Sequence, residues 1–247
     1  MVWSRQCISS KAMKLPDFSH EQHELARVLT RTDRRCRVLD VGCGTGRNLD
    51  LLRDLGFSRI VGADLNPDLV SNNRARGHLC YTPEMLDEEA LEPFDLILMS
   101  HIVEHFDCQA LLTFLGHYLR RLRLGGHLLI VTPLPHCAFY NDFDHVRPYL
   151  PMGFLMVFGE EQAQVQYQFD DVLALQDLRF YRGPFRLQFY RALYVSQAST
   201  LPIWINRLLR LVFLVSRGMI GSRIGWMGLY EYVGPRRKTG EPEPDRG

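Results

Sequence analysis

The sequence predicts an α/β protein built on a mostly parallel sheet with helices on both faces, and three observations predict it. An apolar run, Arg37-Val38-Leu39-Asp40-Val41, leads into Gly42, Gly44 and Gly46 and then into a helix-like segment, Asn48 to Leu55, that stops at Gly56. That is a buried strand, a tight turn and a helix N-terminus. A second apolar run, Arg59 to Ala63, ends in Asp64, and Asn66-Pro67-Asp68 then opens a helix with proline in its first turn. Two further runs, Phe94–Ser100 and His127–Thr132, flank a helix-length stretch that closes through Leu119 and Leu122 on Gly125-Gly126. Short buried strands alternating with helices give a parallel sheet.

Ahead of the first strand, Ser19-His20-Glu21-Gln22 resembles a capping box before Leu25, Val28 and Leu29, so residues 1–35 read as a helical lead-in. The glycine turn presents backbone N–H groups and the positive end of a helix dipole to a ligand. Its spacing narrows the ligand. A dinucleotide site needs G-x-G-x-x-G, and the place of the third glycine is taken by Arg47. No Gly-Lys-Ser/Thr follows, which excludes a nucleotide P-loop. Asp64, about twenty residues beyond the glycines, stands at the end of the second strand, where an acid accepts the hydroxyls of a ribose.

Asp40-x-Gly42-x-Gly44-x-Gly46 after a strand resembles motif I of the class I S-adenosylmethionine-dependent methyltransferases. The order Phe94-Asp95-Leu96-Ile97, Glu104-His105, Leu119, Leu122 and Gly125-Gly126-His127-Leu128 is similar to the ubiquinone- and menaquinone-biosynthesis members, over residues 36 to 135. Leu124 stands where that pattern often has proline. The resemblance implies a Rossmann-like seven-stranded, mostly parallel sheet with a C-terminal antiparallel hairpin, and S-adenosylmethionine as cofactor. It places the cofactor against Asp40, Gly42, Cys43, Gly44 and Gly46, with its ribose on Asp64 beside Leu65. Its base falls near Glu84, Met85 and Leu86, and Ser100 and His101 lie at the end of the fourth strand. The lead-in helix would cover one flank of this site.

Composition sets limits. The chain has 247 residues, 46% hydrophobic and 23% charged, enough to bury a full core. A formal net charge of +1 gives no bulk electrostatic case for a nucleic-acid partner. The six cysteines are scattered without a C-x-x-C pair, which argues against structural zinc and a disulfide framework and fits a reducing, cytoplasmic setting. No metal is expected. The N-terminal residues lack an apolar stretch of signal-peptide length.

On the acceptor side, the loop after Ser100 carries His101, Glu104 and His105, the last two placed to cap a helix starting near Phe106. The loop after Thr132 carries Asp144-His145-Val146-Arg147. His145 is the candidate general base, Arg147 a clamp for a carboxylate or phosphate, and His101 a group for cofactor contact or chemistry. No Asn/Asp-Pro-Pro-Tyr loop or glutamate pair follows the fourth strand, so DNA-amino and protein-arginine methylation do not fit. O-methylation of a small-molecule, lipid or sugar acceptor is expected; the alternative is a methyltransferase-fold binding or scaffolding subunit without its own turnover.

The methyltransferase domain is expected over 36–196, with strands at Asp170–Phe180 and Phe185–Val195 around Gly183-Pro184, after a short helix over Pro151–Glu161. Residues 197–235 form an extension. Within it, 201–217 is an amphipathic helix with interleaved arginines, suited either to a membrane surface or to packing on the domain or a second subunit. Gly218 to Gly228 reads as a loop or lid, and 236–247 as a disordered tail.

Overall fold

The computed structural model describes residues 19–136, 139–159, 166–187 and 201–236. Seven strands form one sheet: β1 (Arg37–Val41), β2 (Arg59–Ala63), β3 (Cys80–Tyr81), β4 (Phe94–Ser100), β5 (Leu122–Pro133), β6 (Asp171–Gly183) and β7 (Ser222–Pro235). Their order is β3-β2-β1-β4-β5-β7-β6. The first five are parallel, and β7 runs antiparallel to both β5 and β6. The expected mostly parallel Rossmann-like sheet with a C-terminal antiparallel hairpin is what the chain forms.

Helices α1 (His20–Leu29), α2 (Arg47–Asp54), α3 (Pro67–Ala75), α4 (Pro83–Glu88), α5 (Cys108–Leu119) and α6 (Pro151–Phe158) surround the sheet, and α7 (Leu201–Val215) stands between β6 and β7. Strand side chains alternate between two cores. Leu39, Val41, Ile97, Met99, Leu128 and Ile130 face one side with Leu111 and Leu115 of α5 and Phe154 of α6. Val38, Leu96, Leu98, Leu129 and Val131 face the other with Leu25 and Leu29 of α1 and Leu52 of α2. The lead-in helix is therefore part of the core. Ser19 caps it, its hydroxyl accepting from the Gln22 N–H at 3.4 Å.

Two local expectations need correction, and a third falls largely outside the described residues. β6 forms its antiparallel pair with β7; of the strand expected over Phe185–Val195, the residues after Leu187 lie outside the described residues. Of the Gly-rich stretch expected as a loop or lid, 218–221 is a turn, but Ser222 to Gly228 is the first half of β7, seated between β5 and β6 with Trp226 and Tyr230 fully buried. Its glycines make room for rings: a Cβ on Gly225 would lie 1.9 Å from Cζ of Tyr181. Gly125-Gly126 does not stop a helix, since α5 ends at Leu119 and Leu122 already pairs with Phe94; the glycines lie in a bulge of β5. Residues 1–18 and 237–247 lie outside the described residues, and with them the rest of the lead-in and nearly all of the tail.

Candidate active site

The carboxyl ends of β1, β2 and β4 meet at one edge of the sheet, where ligands of open α/β sheets bind. The glycine loop is shaped by its own backbone. Gly42, Gly44 and Gly46 have φ of 70°, 53° and 82°, left-handed values that a glycine adopts without strain. A side chain on Gly42 would strike Ile102 Cδ1 at 2.0 Å and one on Gly46 would strike Asn73, whereas one on Gly44 meets nothing. Gly44 therefore borders open space. The N–H groups of Gly42 and Cys43 both bond to Ala63 O, at 2.7 and 3.0 Å, so they fasten the loop to β2 instead of pointing at a ligand. The Cys43 side chain points away as well, buried with Leu49, Val70 and Cys80.

Asp64 closes the loop from the other side. Its Oδ2 accepts from Gly44 N at 2.7 Å and its Oδ1 from Asn66 N at 2.9 Å. Beneath the loop, the Asp40 side chain is wholly buried and neither oxygen has a hydrogen-bond partner. Burial pushes its carboxyl up to about 8.

A cavity of about 590 Å³ runs from the loop across the ends of the strands. Gly42, Asp64, Leu65 and Pro83 make one wall, and Ile102, Phe106, His105 and Asp144 the other. Leu65 is 80% exposed at its rim. Of the three residues expected near the base, Leu86 is fully buried in the core and unable to line the cavity. Glu84 is exposed, with its carboxyl held below the usual range by its own backbone N–H and Thr82 at the start of α4. Met85 packs half-buried against the core.

Behind the cavity lies a chain of charged groups that sequence did not disclose. His101, at the end of β4, has φ of 57° and donates its N–H to Val131 O at 2.8 Å. Its ring bridges two acids: Nδ1 lies 3.1 Å from Glu104 Oε1 and Nε2 3.0 Å from Glu21 Oε2. Glu104 is wholly buried and also accepts from Thr132 Oγ1 at 3.0 Å, while Glu21 accepts from Arg47 at 2.8 Å. Burial works against a charged imidazole, but the hydrogen bonds it donates to both glutamates, with their charges, outweigh it and raise His101 to about 9. With both ring nitrogens engaged by carboxylates, His101 braces α1 against β4. The network ties α1, through Glu21, to Arg47 at the start of α2 and to His101 at the end of β4. Glu104 and His105 do not cap α5; Asp107 does, accepting from Ala110 N at 2.8 Å.

The sign of this shift sets a pH dependence. A histidine whose pKa rises from 6.5 to about 9 on folding stabilises the fold fully below pH 6.5 and loses that contribution as pH climbs through 9. Undiscounted the shift is worth roughly 3 kcal/mol. The side chain is 38% exposed, so screening brings it to about 1 kcal/mol. Urea denaturation at pH 6.5 and 9.5 is expected to show that difference in the native protein and to lose it in His101→Gln; an equal slope in both would remove the assignment.

The acceptor side differs from expectation. His105 lines the cavity, and His145 stands behind it with the two rings 5.0 Å apart. His105 Nδ1 lies 3.0 Å from Asp144 O and His145 Nδ1 2.8 Å from Phe139 O. In the neutral rings those nitrogens carry the protons and each Nε2 is an acceptor. Glu104, His105 and His145 place their ligand atoms within 4.8 Å of one another, the one such group among the described residues. Arg147 is not at this site: it bonds Cys108 Sγ, stacks over Tyr149 and lines a separate apolar pocket beside α5 and α6. Ser100 is buried at the end of β4.

A family model described as a methyltransferase domain matches residues 18–172, more than half of the chain. The chain belongs to that family: it is a class I S-adenosylmethionine-dependent methyltransferase-fold protein, and S-adenosylmethionine is its cofactor. The ubiquinone-like subtype is not singled out by the match. Among solved structures, an S-adenosylmethionine-dependent methyltransferase from Archaeoglobus fulgidus is similar at 18% identity and a TM-score of 0.53, over 86% of this chain and 94% of that one. The YcgJ protein of Bacillus subtilis is similar at 16% identity and a TM-score of 0.52, over 89% and 99%. A chain from the complex of the Haloferax volcanii Trm112 methyltransferase activator with a methyltransferase is similar at 16% and 0.53, over 86% and 90%. At these identities the likeness is one of fold. No curated relative matches the sequence.

Proposed function

We propose that this chain transfers the methyl group of S-adenosylmethionine to a hydroxyl of a small-molecule, lipid or sugar acceptor. The observation that carries the proposal is the single cavity joining Gly42 and Asp64 on one wall to His105 and Asp144 on the other. Donor and acceptor machinery share one space.

The chain's own groups suit the donor. Asp64 has two oxygens, each with one backbone donor, and an ionised carboxylate has capacity for further donors from a ribose. Gly44 leaves room for close approach, and Leu65 with Pro83 offers an apolar rim for the base. Met85 stands behind that rim. Asp40 supplies a buried carboxyl without a partner, and a cationic ligand over the loop would favour its ionised form. When bound, the cofactor supplies an electrophilic methyl on a sulfonium.

On the acceptor side His105 is the general base in this proposal. Its Nε2 would take the hydroxyl proton as the new C–O bond forms, and the Asp144 carbonyl fixes the ring orientation through Nδ1. His145 buttresses that ring, and Ile102 and Phe106 exclude water. Alignment supplies much of the rate, so a base helps without being indispensable. The catalytic unit runs from α1 through β7, with 184–221 as an excursion within it and not an appendage after residue 196.

The test is transfer of labelled methyl from cofactor into metabolite and lipid extracts, followed by His105→Ala on the acceptor found. Loss of roughly 10²–10⁴ in kcat with cofactor affinity unchanged is expected. Unchanged turnover in His105→Ala would move the base elsewhere. Cofactor binding with no transfer into any extract would make the chain a binding subunit.

A further inference from the structure

The excursion between β6 and β7 carries a surface that methyl transfer does not use. From Leu178 to Tyr230 the sequence holds eight arginines and no Asp, Glu or Lys, although the whole chain has 28 acids in 247 residues. Within this acid-free stretch α7 turns one row of apolar side chains to solvent: Leu201, Trp204, Leu208, Leu211 and Val215 are 67%, 63%, 59%, 45% and 77% exposed. They follow at steps of three and four residues, so they share one helix face. The protein-facing side is separate. Phe213 is buried with its ring 6.5 Å from that of His20, and Asn206 Oδ1 accepts from Leu187 N at 2.9 Å. The exposed row is therefore not a core face that failed to pack. Arg207 and Arg210 border it, with the Arg207 guanidinium 4.9 Å from the Trp204 ring.

The mounting of this helix gives it meaning. Gly183 pairs with Ser222 and Pro133 with Gly225, so the excursion leaves and re-enters the sheet at the edge where β4 and β5 end. That is the edge onto which the candidate active site opens. Phe143, fully exposed, lies in the loop that follows β5 at the same edge.

We infer that α7 lies on an anionic lipid bilayer and holds the carboxyl edge of the sheet against it, so that the acceptor is drawn from the membrane. This rests on the methyltransferase reading and gives it a substrate class. The helix has 15 residues, about 22 Å at the usual rise, short of the ~30 Å hydrocarbon core. No helix among the described residues is long and apolar enough to cross a membrane. An apolar face with tryptophan in its first turn and flanked by arginine suits the interface plane, and a helix whose own sequence neighbourhood carries arginines without acids complements anionic headgroups. A second copy on the same face would bring Arg207 and Arg210 against their own counterparts, which charge opposes.

The full chain is tested by co-sedimentation with vesicles of phosphatidylcholine containing roughly one-third phosphatidylglycerol, against phosphatidylcholine alone. The native protein is expected to bind the anionic vesicles at least ~10-fold more tightly, and less so as salt rises. Trp204→Glu/Leu208→Glu and Arg207→Glu/Arg210→Glu each lose at least ~10-fold, with thermal midpoint and S-adenosylmethionine binding unchanged because all four side chains are exposed. Absent vesicle binding, or binding equal in native and both variants, overturns the inference. So does a native dimer by light scattering that Trp204→Glu/Leu208→Glu splits while vesicles recruit nothing. Failure of the native chain to bind S-adenosylmethionine would instead strike the methyltransferase reading, and the vesicle result would stand apart from it.

Discussion

Asp64→Ala is expected to weaken S-adenosylmethionine binding by at least ~100-fold in calorimetry while the protein stays folded. Two contributions add. The carboxylate offers charged acceptors to a ribose, each worth about 1.5–3 kcal/mol. It also holds Gly44 N at 2.7 Å and Asn66 N at 2.9 Å, so its removal frees the loop that shapes the cavity. Gly44→Val separates ligand exclusion from loop damage. A Cβ at Gly44 meets no atom within 4 Å, so the fold bears only the strain of a left-handed φ of 53°, about 1–2 kcal/mol. The new side chain would occupy the open space that the cofactor needs. A variant that melts within a few degrees of the native protein yet binds no cofactor is the expected result. Native-like affinity in both variants would move the donor site away from this loop.

That loop and its register were legible because their chemistry is local. A strand, three glycines at alternate positions and an acid one strand later are close in sequence and sit together in space for that reason. The strands β1, β2, β4 and the second half of β5 were readable likewise, since parallel strands buried on both faces are short apolar runs; β3 has only two residues and the start of β5 holds Gly125-Gly126, so neither shows such a run. β7 was not readable. Its glycines look like loop residues until Tyr181, Trp226 and Tyr230 are seen packed over them, and Tyr181 lies 44 residues from Gly225 along the chain. The partner of β6 is found only after a long excursion, and no periodicity signals that distance. The donor half of the site was visible for its glycines and Asp64, while Leu86 shows that a helix position cannot be assigned to a cavity without knowing its facing. On the acceptor side both loops singled out in the sequence reach the carboxyl edge, but only the fold shows which side chain each turns toward the cavity. His105 and His145 are 40 residues apart and which one lines the cavity depends on how the loop after β5 folds back. Glu21 bonding His101 across 80 residues is a tertiary fact. The one available hint was that Glu21 is an acid in the first turn of a helix expected to flank the site.

The same tertiary network carries the largest expected effect on stability. Glu104 is wholly buried, with one oxygen on the His101 ring at 3.1 Å and the other on the Thr132 hydroxyl at 3.0 Å. Glu104→Ala removes the only partner of the imidazolium on the β4 side and strips a buried hydroxyl of its acceptor. Breaking a buried ion pair by deleting one member costs about 3–5 kcal/mol, and the thermal midpoint of a chain this size falls about 2–4 °C per kcal/mol. A drop on the order of 10 °C is therefore expected. Glu104→Gln keeps the shape and can still accept from Thr132, so it should cost less. It removes a negative charge from beside His101, and the histidine then titrates closer to its ordinary 6.5. The discriminating measurement is the difference in stability between pH 6.5 and 9.5, which Glu104→Gln should shrink. Because Glu21 bonds the other ring nitrogen and also Arg47, a network of this kind couples α1, β4 and the start of α2. The double variant Glu21→Gln/Glu104→Gln should then lose less than the sum of the single variants. A cost for Glu104→Ala under about 1 kcal/mol, within the range of ordinary surface pairs, would show that the carboxylate is not what holds these elements together.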